Sequence, residues 1–354
     1  MHISPVKPII PLEKEREFQG PSGVISMKDW ATKITPATAN HRHSRVLPIV
    51  LRRWATLESL RHPAGLMAAV EDALLVAGGL GTRMLPTSAS IPKEALPLVD
   101  VPALVHLARE AVEAGVRRIH IISSPRKDLT GLLGDHAWLQ AKRPDLDAQL
   151  LSPFADVEVH VHIQHEPLGL GNAIECALDN ISGPFLVLLG DNILLDQHTS
   201  PNSFSPSKAS LKLVESFQNN GLPCVGLLEV SPEEVSHYGV VRQDGERILE
   251  IVEKPSVETA PSNRVLCGRY LFTPDCKALL QQYDVETYGE LQSIAVQQHW
   301  MNNDGLLGVE LAQFQWYDSG KPLPWLQAQV DHALRRSDLS GPFSAWLKER
   351  LSQD

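Results

Sequence analysis

The sequence predicts an α/β protein. Short runs rich in leucine and β-branched residues alternate with stretches of helical spacing from about residue 70 onward, and strand-like runs dominate after about residue 222. Apolar strands that alternate with helices are typical of a parallel sheet covered on both faces. The expected architecture is therefore a Rossmann-like, mostly parallel (mixed) sheet with helices on both faces, a strand-rich portion and C-terminal helices. Such sheets bind their ligands outside the carboxyl ends of the strands.

The elements follow one another in a simple order. The strands predicted for the parallel part are Asp72–Ala77, Arg117–Ser123, Val157–Ile163 and Phe185–Leu189. Helical spacing is found at Ala103–Ala114, Gly171–Leu178, Pro322–Ser337 and Phe343–Leu351. The strands predicted for the later portion are Pro223–Val230, Gly239–Arg242, Ile248–Glu253 and Val265–Phe272.

Composition narrows the class of protein. The chain has 354 residues, with 32 Lys and Arg against 42 Asp and Glu, so its net charge is −10. An acidic chain argues against nucleic acid as a partner. No apolar run approaches the ~18 to 20 residues of a membrane span, and no signal peptide opens the chain. The four cysteines are far apart and suggest neither disulfides nor zinc, so we expect a cytoplasmic protein without a membrane partner.

Residues 1–70 differ from the remainder in charge. They hold 10 Lys and Arg against 5 Asp and Glu, whereas the other 284 residues hold 22 against 37. The first 45 residues are rich in Pro, Ser, Thr and Lys without periodicity, which is typical of a flexible tail. We therefore predict an N-terminal extension over residues 1–70, either flexible or mis-started upstream of Met67, and one domain over residues 71–354. A targeting peptide or an interaction arm is the alternative.

A glycine-rich loop, AGGLGTRMLP, directly follows the first predicted strand. Gly78, Gly79 and Gly81 let the backbone approach a ligand closely and turn N–H groups toward an anion, and Arg83 adds a cation. The loop matches neither G-x-x-x-x-G-K-[ST] nor G-x-G-x-x-G. The pattern predicts a phosphate-binding loop, with an ordinary strand-to-loop turn as the alternative.

The next segment, Ser90–Pro102, is punctuated by prolines. Proline restricts the backbone to extended and turn conformations, which would hold Lys93 in place after the glycine loop. A rigid lysine there can neutralise phosphate charge, although lysines are usually solvated at the surface.

Two histidines, His160 and His162, lie two residues apart in the third predicted strand, so they share one face of it. The two side chains could bind a metal ion. No cysteine or third ligand with zinc-like spacing accompanies them, and the polar face of an edge strand is the alternative.

The combination GGLGTRMLP and IPKEALPLVDVP resembles the sugar-1-phosphate nucleotidyltransferases, in particular the bacterial UTP:glucose-1-phosphate uridylyltransferases. The resemblance continues in order from about residue 71 to the C-terminus and leaves out only the extension. It implies that the strand-rich portion binds a sugar. It also implies that the glycine loop and Glu94 bind a nucleotide.

The resemblance assigns the base and metal sites as well. Gln164 and Gly169 look like the pair that contacts uracil, and an amide offers a pyrimidine edge both a donor and an acceptor. Asp191, after the strand PFLVLLG, and Asp318, in WYDSGKP, look like the two aspartates that hold Mg²⁺. This ion is commonly bound by one or two carboxylates together with substrate phosphates and water.

Three further motifs, HYGVV, EIVEKP and CGRYLF, resemble sugar-binding segments. By that match Gly239 lies against the sugar, Glu253 accepts hydrogen bonds from its hydroxyls, Lys254 holds the sugar phosphate, and Gly268 lies near the sugar. Neighbouring residues on a strand point to opposite faces, so the alternative is that either Glu253 or Lys254 lies elsewhere.

The implied reaction belongs to carbohydrate metabolism: UTP and glucose 1-phosphate give UDP-glucose and pyrophosphate. An oxygen of the sugar phosphate would attack the α-phosphorus in line, and with a second pKa of about 6 it needs no strong base. The catalytic residues would be Arg83, Lys93 and Asp191, and their task is electrostatic. The resemblance also implies a homo-oligomer, either a dimer or a tetramer.

The chain departs from the family pattern at Ala89, where a lysine is usual, and at Gly289 and Ala295 within YGELQSIA. Every proposed phosphate and metal ligand is nevertheless present. A thymidylyltransferase that uses dTTP, or a non-catalytic regulatory paralogue that binds nucleotide sugar, are the alternative functions. The segment between Gly134 and Asp156 resembles an insertion of the uridylyl branch and favours UTP.

Overall fold

The computed structural model describes residues 25–26, 68–282 and 293–353. Its strands are β1 (Ile25–Ser26), β2 (Asp72–Val76), β3 (Pro97–Leu98), β4 (Val101–Pro102), β5 (Arg118–Ser123), β6 (Glu158–Ile163), β7 (Phe185–Leu189), β8 (Asn192–Leu195), β9 (Cys224–Glu229), β10 (Gly239–Asp244), β11 (Arg247–Glu253), β12 (Arg264–Phe272), β13 (Leu307–Glu310) and β14 (Gln315–Asp318). Its α-helices are Ala103–Glu113, Thr130–Leu133, Ala148–Leu151, Leu170–Glu175, Ala209–Asn220, Cys276–Leu280, Ser293–Asn302, Pro322–Arg335 and Ser340–Leu351. Short 3₁₀ turns cover Thr82–Met84, Thr87–Ala89, Lys93–Ala95, Ala137–Ala141, Leu178–Asn180, Pro201–Ser203 and Pro232–His237.

The first half of the domain is a parallel sheet, in the order β6, β5, β2, β7. The strands end level with one another, at Ile163, Ser123, Val76 and Leu189. Their carboxyl ends therefore form one edge, where ligands of such sheets bind. The predicted mixed sheet is confirmed, but parallel pairing is confined mainly to this half, and most pairings in the whole sheet are antiparallel.

Strand β2 shows why helices cover both faces of this sheet. Ala73 and Leu75 are buried in the core that contains the helices Ala103–Glu113 and Ala209–Asn220. Leu74, which points the other way, is buried in a second core with the helix Leu170–Glu175. A strand that is apolar on both sides needs a layer of helices on each side, as the leucine-rich pattern predicts.

The second half of the domain is antiparallel and joins the first through β12, which pairs with β7. Strand β12 also pairs with β9 and β10, and the pairings of β10 with β11, β11 with β13 and β13 with β9 close a ring of five strands. The strand-rich portion predicted from the sequence is therefore continuous with the parallel sheet.

A separate antiparallel ribbon of β8 and β14 crosses the end of the sheet. In its register Asp318 lies opposite Asn192. The hydroxyl and N–H of Ser319 both donate to the Asp191 carbonyl, at 3.2 and 2.8 Å. This ribbon brings two segments that are far apart in the sequence to one place at the ligand-binding edge.

Behind the ribbon, Arg269 of β12 and Glu110 of the first long helix form a buried ion pair. Arg269 is fully buried and donates to both oxygens of Glu110, at 2.7 and 2.8 Å. It also donates to the carbonyls of Gly268 and Asn192, at 3.2 and 2.9 Å. Ser210 donates its N–H and hydroxyl to Glu110. One buried guanidinium thus holds together the sheet, the ribbon and two helices.

We predict that Glu110→Gln lowers the free energy of unfolding by about 3 to 5 kcal/mol, since it leaves the buried Arg269 charge without its counter-charge. Urea unfolding measures the change. Lys212→Met serves as a control because it removes a surface pair, Lys212 Nζ to Glu215 Oε2 at 2.8 Å, and should cost less than about 1 kcal/mol. An equal loss in the two variants would contradict the prediction.

Three histidines cluster on the sheet instead of forming a metal clip. His120 is fully buried, and its ring nitrogens lie 2.9 Å from His162 Nε2 and 3.1 Å from Asp72 Oδ1. The His160 ring stacks on that of His120. No group of three or more metal-ligating side chains arranged to hold an ion occurs among the residues that the structure describes.

Burial, together with the neighbouring His120 and His160, lowers the pKa of His162 from 6.5 to about 4. Between these pH values the unfolded chain binds a proton that the folded chain does not, so stability falls as the pH drops from 6.5 toward 4. We predict a shallower fall in His162→Gln, measured by urea unfolding at several pH values. His165→Gln, at an exposed site three residues away, should keep the wild-type slope. Identical slopes in both variants would count against this role of His162.

Several elements differ from the sequence prediction. The helices Ala209–Asn220 and Ser293–Asn302 and the ribbon of β8 and β14 were not predicted. The predicted helix Gly171–Leu178 is observed over Leu170–Glu175, and a separate 3₁₀ turn, Leu178–Asn180, follows it. Of the extension, the structure describes β1, which pairs antiparallel with β6, and residues 68–70. Among the described residues, no helix has the length and apolar character needed to cross a membrane.

Candidate functional site

The glycine-rich loop leaves β2 at the ligand-binding edge. Gly81 has φ +65°, a left-handed conformation that glycine adopts without strain, and its carbonyl accepts from the Ser88 hydroxyl at 2.8 Å. Gly79 is exposed, and a Cβ there would meet open space. A Cβ on Gly78 would come within 2.7 Å of Gln164 Oε1. The loop therefore approaches Gln164 closely and turns sharply before Arg83.

Beneath the loop lies a buried ion pair that the sequence did not reveal. Lys127 Nζ donates to both oxygens of Glu94, at 2.9 and 2.8 Å, and to the carbonyl of Ala77 at 2.5 Å. Burial raises the pKa of the Glu94 carboxyl and lowers that of Lys127. Glu94 was predicted to bind nucleotide. The structure places it under the loop as the partner of Lys127, and the pair anchors the start of the loop.

Lys93 forms an ion pair with Asp191, with Nζ 2.6 Å from Oδ2. Lys93 is buried, so it is not the solvated surface lysine that was the alternative. Burial alone would raise the pKa of Asp191, but the charge and hydrogen bond of Lys93 lower it below its ordinary value. The carboxylate of Asp191 is therefore ionised and already faces a cation.

Asp191, Asp318 and Arg83 meet around Gly320. A Cβ on Gly320 would lie 2.8 Å from Asp318 Oδ1, 3.0 Å from Arg83 Nη2 and 3.5 Å from Asp191 Oδ2. The two carboxylate oxygens are thus within about 6.3 Å of each other, the sum of their distances from that one point. Any side chain at residue 320 would fill the space between them, which explains the glycine.

Gln164 and Gly169 lie beside each other, as predicted. Gln164 follows β6 and is buried, and its Nε2 donates to the Gly169 carbonyl at 3.2 Å and to Asn172 Oδ1 at 2.9 Å. Gly169 has φ +101° and begins the helix Leu170–Glu175. The amide oxygen of Gln164 is left on the side of the glycine loop.

The residues predicted to bind sugar line a cavity of about 320 Å³, which Arg83, Asp191 and Asp318 also line. Lys254 has φ +46°, so the chain leaves its extended path directly after Glu253. This break lets two neighbouring residues line the same cavity, with Lys254 Nζ 3.1 Å from Glu253 Oε1.

Two glycines let the backbone line this cavity. A Cβ on Gly239 would lie 2.9 Å from Leu266 Cδ1 and 3.2 Å from Glu253 Oε2. Gly268 has φ +77° and lies where the pairing of β12 with β9 shifts register. Sequence reasoning missed Trp316, which lines the cavity and donates to Asn192 Oδ1 at 2.7 Å.

The departures from the family pattern fall outside the cavity wall or outside the described residues. Gly289 lies outside the described residues. Ala295 is buried within the helix Ser293–Asn302, whose Ser293 and Gln297 line the cavity. Ala89 is exposed in the turn that follows the glycine loop.

A glycine loop, two facing carboxylates and several cations at one edge of an α/β sheet suit a protein that handles phosphorylated ligands. The chain belongs to the nucleotidyl transferase family, whose model matches residues 72–333. It is 31% identical over 302 residues to the UTP–glucose-1-phosphate uridylyltransferase of Bacillus subtilis (strain 168), a match that covers 81% of this chain and 99% of that one. The family resemblance inferred from the sequence is thereby confirmed.

Solved structures agree with this assignment. A UDP-glucose pyrophosphorylase from Acinetobacter baumannii matches with a TM-score of 0.67 and 30% identity, over 79% of this chain and 99% of that chain. A UDP-glucose pyrophosphorylase complexed with UDP-glucose matches with a TM-score of 0.64 and 27% identity, over 75% of this chain and 98% of that chain.

Proposed function

We propose that this protein is a UTP:glucose-1-phosphate uridylyltransferase, which forms UDP-glucose and pyrophosphate. The observation that carries the proposal is the meeting of Asp191, Asp318 and Arg83 around Gly320, within a cavity that Glu253 and Lys254 also line. The names of the relatives, and the solved structure of a UDP-glucose pyrophosphorylase complexed with UDP-glucose, support the same reaction.

Asp191 and Asp318 fit the requirements of Mg²⁺. Both offer carboxylate oxygens, the pKa of Asp191 is lowered, and the two oxygens lie within about 6.3 Å of each other. Two carboxylates with substrate phosphate and water match the usual coordination of this ion. When bound, Mg²⁺ supplies positive charge at the phosphate and aligns the reacting oxygens.

The cationic side chains bring two polyanions together. Arg83, in the glycine loop, lies near Asp318 and Asp191 at Gly320, where it meets the triphosphate. Lys93 lies beside Asp191 and adds positive charge near the phosphates. Lys254 is exposed in the cavity wall and binds the phosphate of glucose 1-phosphate. Fixed charges of this kind lower the barrier without reorganising during the reaction.

The remaining residues orient the two substrates. Gln164 and Gly169 contact the uracil, while the glycine loop cradles the phosphates with its N–H groups. Glu253 accepts hydrogen bonds from sugar hydroxyls, and Gly239 and Gly268 allow the sugar to lie against the backbone. No residue is needed as a strong base, because the attacking phosphate is largely dianionic at neutral pH.

A pyrophosphate-release assay with glucose 1-phosphate and a panel of nucleotides tests this proposal. We expect UTP to be strongly preferred over ATP and GTP, and equal use of these nucleotides would contradict a pyrimidine site. A preference for dTTP would favour the thymidylyltransferase. Binding of UDP-glucose in calorimetry without any pyrophosphate release would favour the regulatory paralogue. Other sugar 1-phosphates in the same assay define the sugar preference.

We predict that Asp191→Asn lowers kcat by at least about 100-fold, the size of effect expected when one fixed charge on the reacting phosphates is lost. Pyrophosphate release measures the rate, and circular dichroism checks that the fold is kept. Asp179→Asn is the matched control, since Asp179 lies at the surface, where it pairs with Lys277 at 2.6 Å. Wild-type turnover in Asp191→Asn would remove Asp191 from the mechanism.

We also propose that residues 1–70 are an extension to the catalytic domain of residues 71–354. The family match begins at residue 72, and the B. subtilis relative is covered almost entirely by 81% of this chain. Unchanged turnover after deletion of residues 1–66 would support this division. The four cysteines are unpaired, which agrees with a reducing, cytoplasmic location. Homo-oligomer formation stays a prediction, to be tested by light scattering.

A further inference from the structure

The side-chain amide of Gln164 has a defined orientation. The Gly169 carbonyl can only accept a hydrogen bond, and it lies 3.2 Å from the amide of Gln164. The nitrogen of Gln164 must therefore face it, because a flipped amide would place two oxygens against each other. Asn172 Oδ1 lies 2.9 Å from the same nitrogen and accepts its second proton. Both protons of the amide are thus used inside the protein.

The oxygen of Gln164 is left for a ligand. Among the residues that the structure describes, none donates a hydrogen bond to Oε1. It faces Gly78, where a Cβ would lie only 2.7 Å away. The site therefore presents a hydrogen-bond acceptor, and not a donor, beside the phosphate-binding loop.

This orientation distinguishes two pyrimidines by their Watson–Crick edges. Uracil carries a proton on N3 and can donate it to a fixed oxygen. Cytosine has an unprotonated N3, which would face that oxygen lone pair to lone pair. Cytosine would be accepted only if the amide turned over and offered its nitrogen. A buried polar group that is left without a hydrogen-bond partner loses more binding free energy than a typical hydrogen bond contributes.

We propose that Asn172 is a specificity-determining positioning residue. Together with the Gly169 carbonyl, it holds the Gln164 amide with its oxygen toward the base, and the site thereby accepts uracil and rejects cytosine. The inference rests on the proposed function, since it requires the base to lie at Gln164. Thymine also carries a proton on N3, so this device does not separate UTP from dTTP, and another contact must do so.

Two variants of Asn172 test the role. Asn172→Leu is similar in size but has no acceptor, so only the Gly169 carbonyl still orients the amide. Asn172→Asp keeps an acceptor and cannot present a nitrogen. We expect the ratio of UTP to CTP affinity to fall about tenfold in Asn172→Leu, the size of one hydrogen bond. The ratio should be kept or raised in Asn172→Asp. Calorimetric titration of the full chain with UTP and with CTP measures both affinities.

The ratio of UTP to CTP affinity distinguishes a positioning role of Asn172 from a merely structural one. A variant that only loosens the fold loses affinity for both nucleotides together and leaves the ratio unchanged. An unchanged ratio in Asn172→Leu, or an equal fall in both variants, would overturn the inference while wild-type UTP turnover still stands. Equal wild-type affinity for UTP and CTP would also overturn it. A wild-type chain that binds neither nucleotide would overturn the proposed function as well.

Discussion

The buried pair of Arg269 and Glu110 is the interaction on which the arrangement of the site depends. Arg269 donates to the carbonyls of Gly268 and Asn192, two residues that line the cavity. Glu110 is in turn held by Ser210 of a second helix. A buried ion pair is weak evidence for net stability, because desolvation offsets its attraction. What this pair fixes is geometry, since one planar guanidinium joins two segments of the cavity lining.

The charges around the cavity alternate in sign. Lys127 neutralises Glu94, Lys93 neutralises Asp191, and Arg83 approaches Asp318 near Gly320. Such an order allows several ionised groups to be buried close together, because each charge has an opposite neighbour. It also keeps Asp191 ionised and Lys93 extended before any substrate arrives. A set of fixed charges in this order is suited to electrostatic catalysis, because it needs little rearrangement.

Prediction from the sequence succeeded where a residue follows a strong local pattern. The apolar runs located the four parallel strands within two residues, and the glycine loop followed the first of them. It failed where a partner is far away in the sequence. Lys127 belongs to no motif in its own segment and lies 33 residues after Glu94 in the sequence. Only the fold brings the two side chains together beneath the loop. The ribbon of β8 and β14 joins strands too short to show a periodicity.

The fold class, the glycine-rich loop and the residue types of the site could be predicted from the amino-acid sequence, because these depend on periodicity and on motifs of adjacent residues. The partners of the individual side chains depend on the tertiary fold. It turned Lys254 into the cavity beside Glu253 through a left-handed residue, assigned Glu94 to Lys127, and oriented the Gln164 amide through Gly169 and Asn172. Hydrogen bonds and ion pairs depend on distances of a few tenths of an ångström, and these arise only when distant segments pack together.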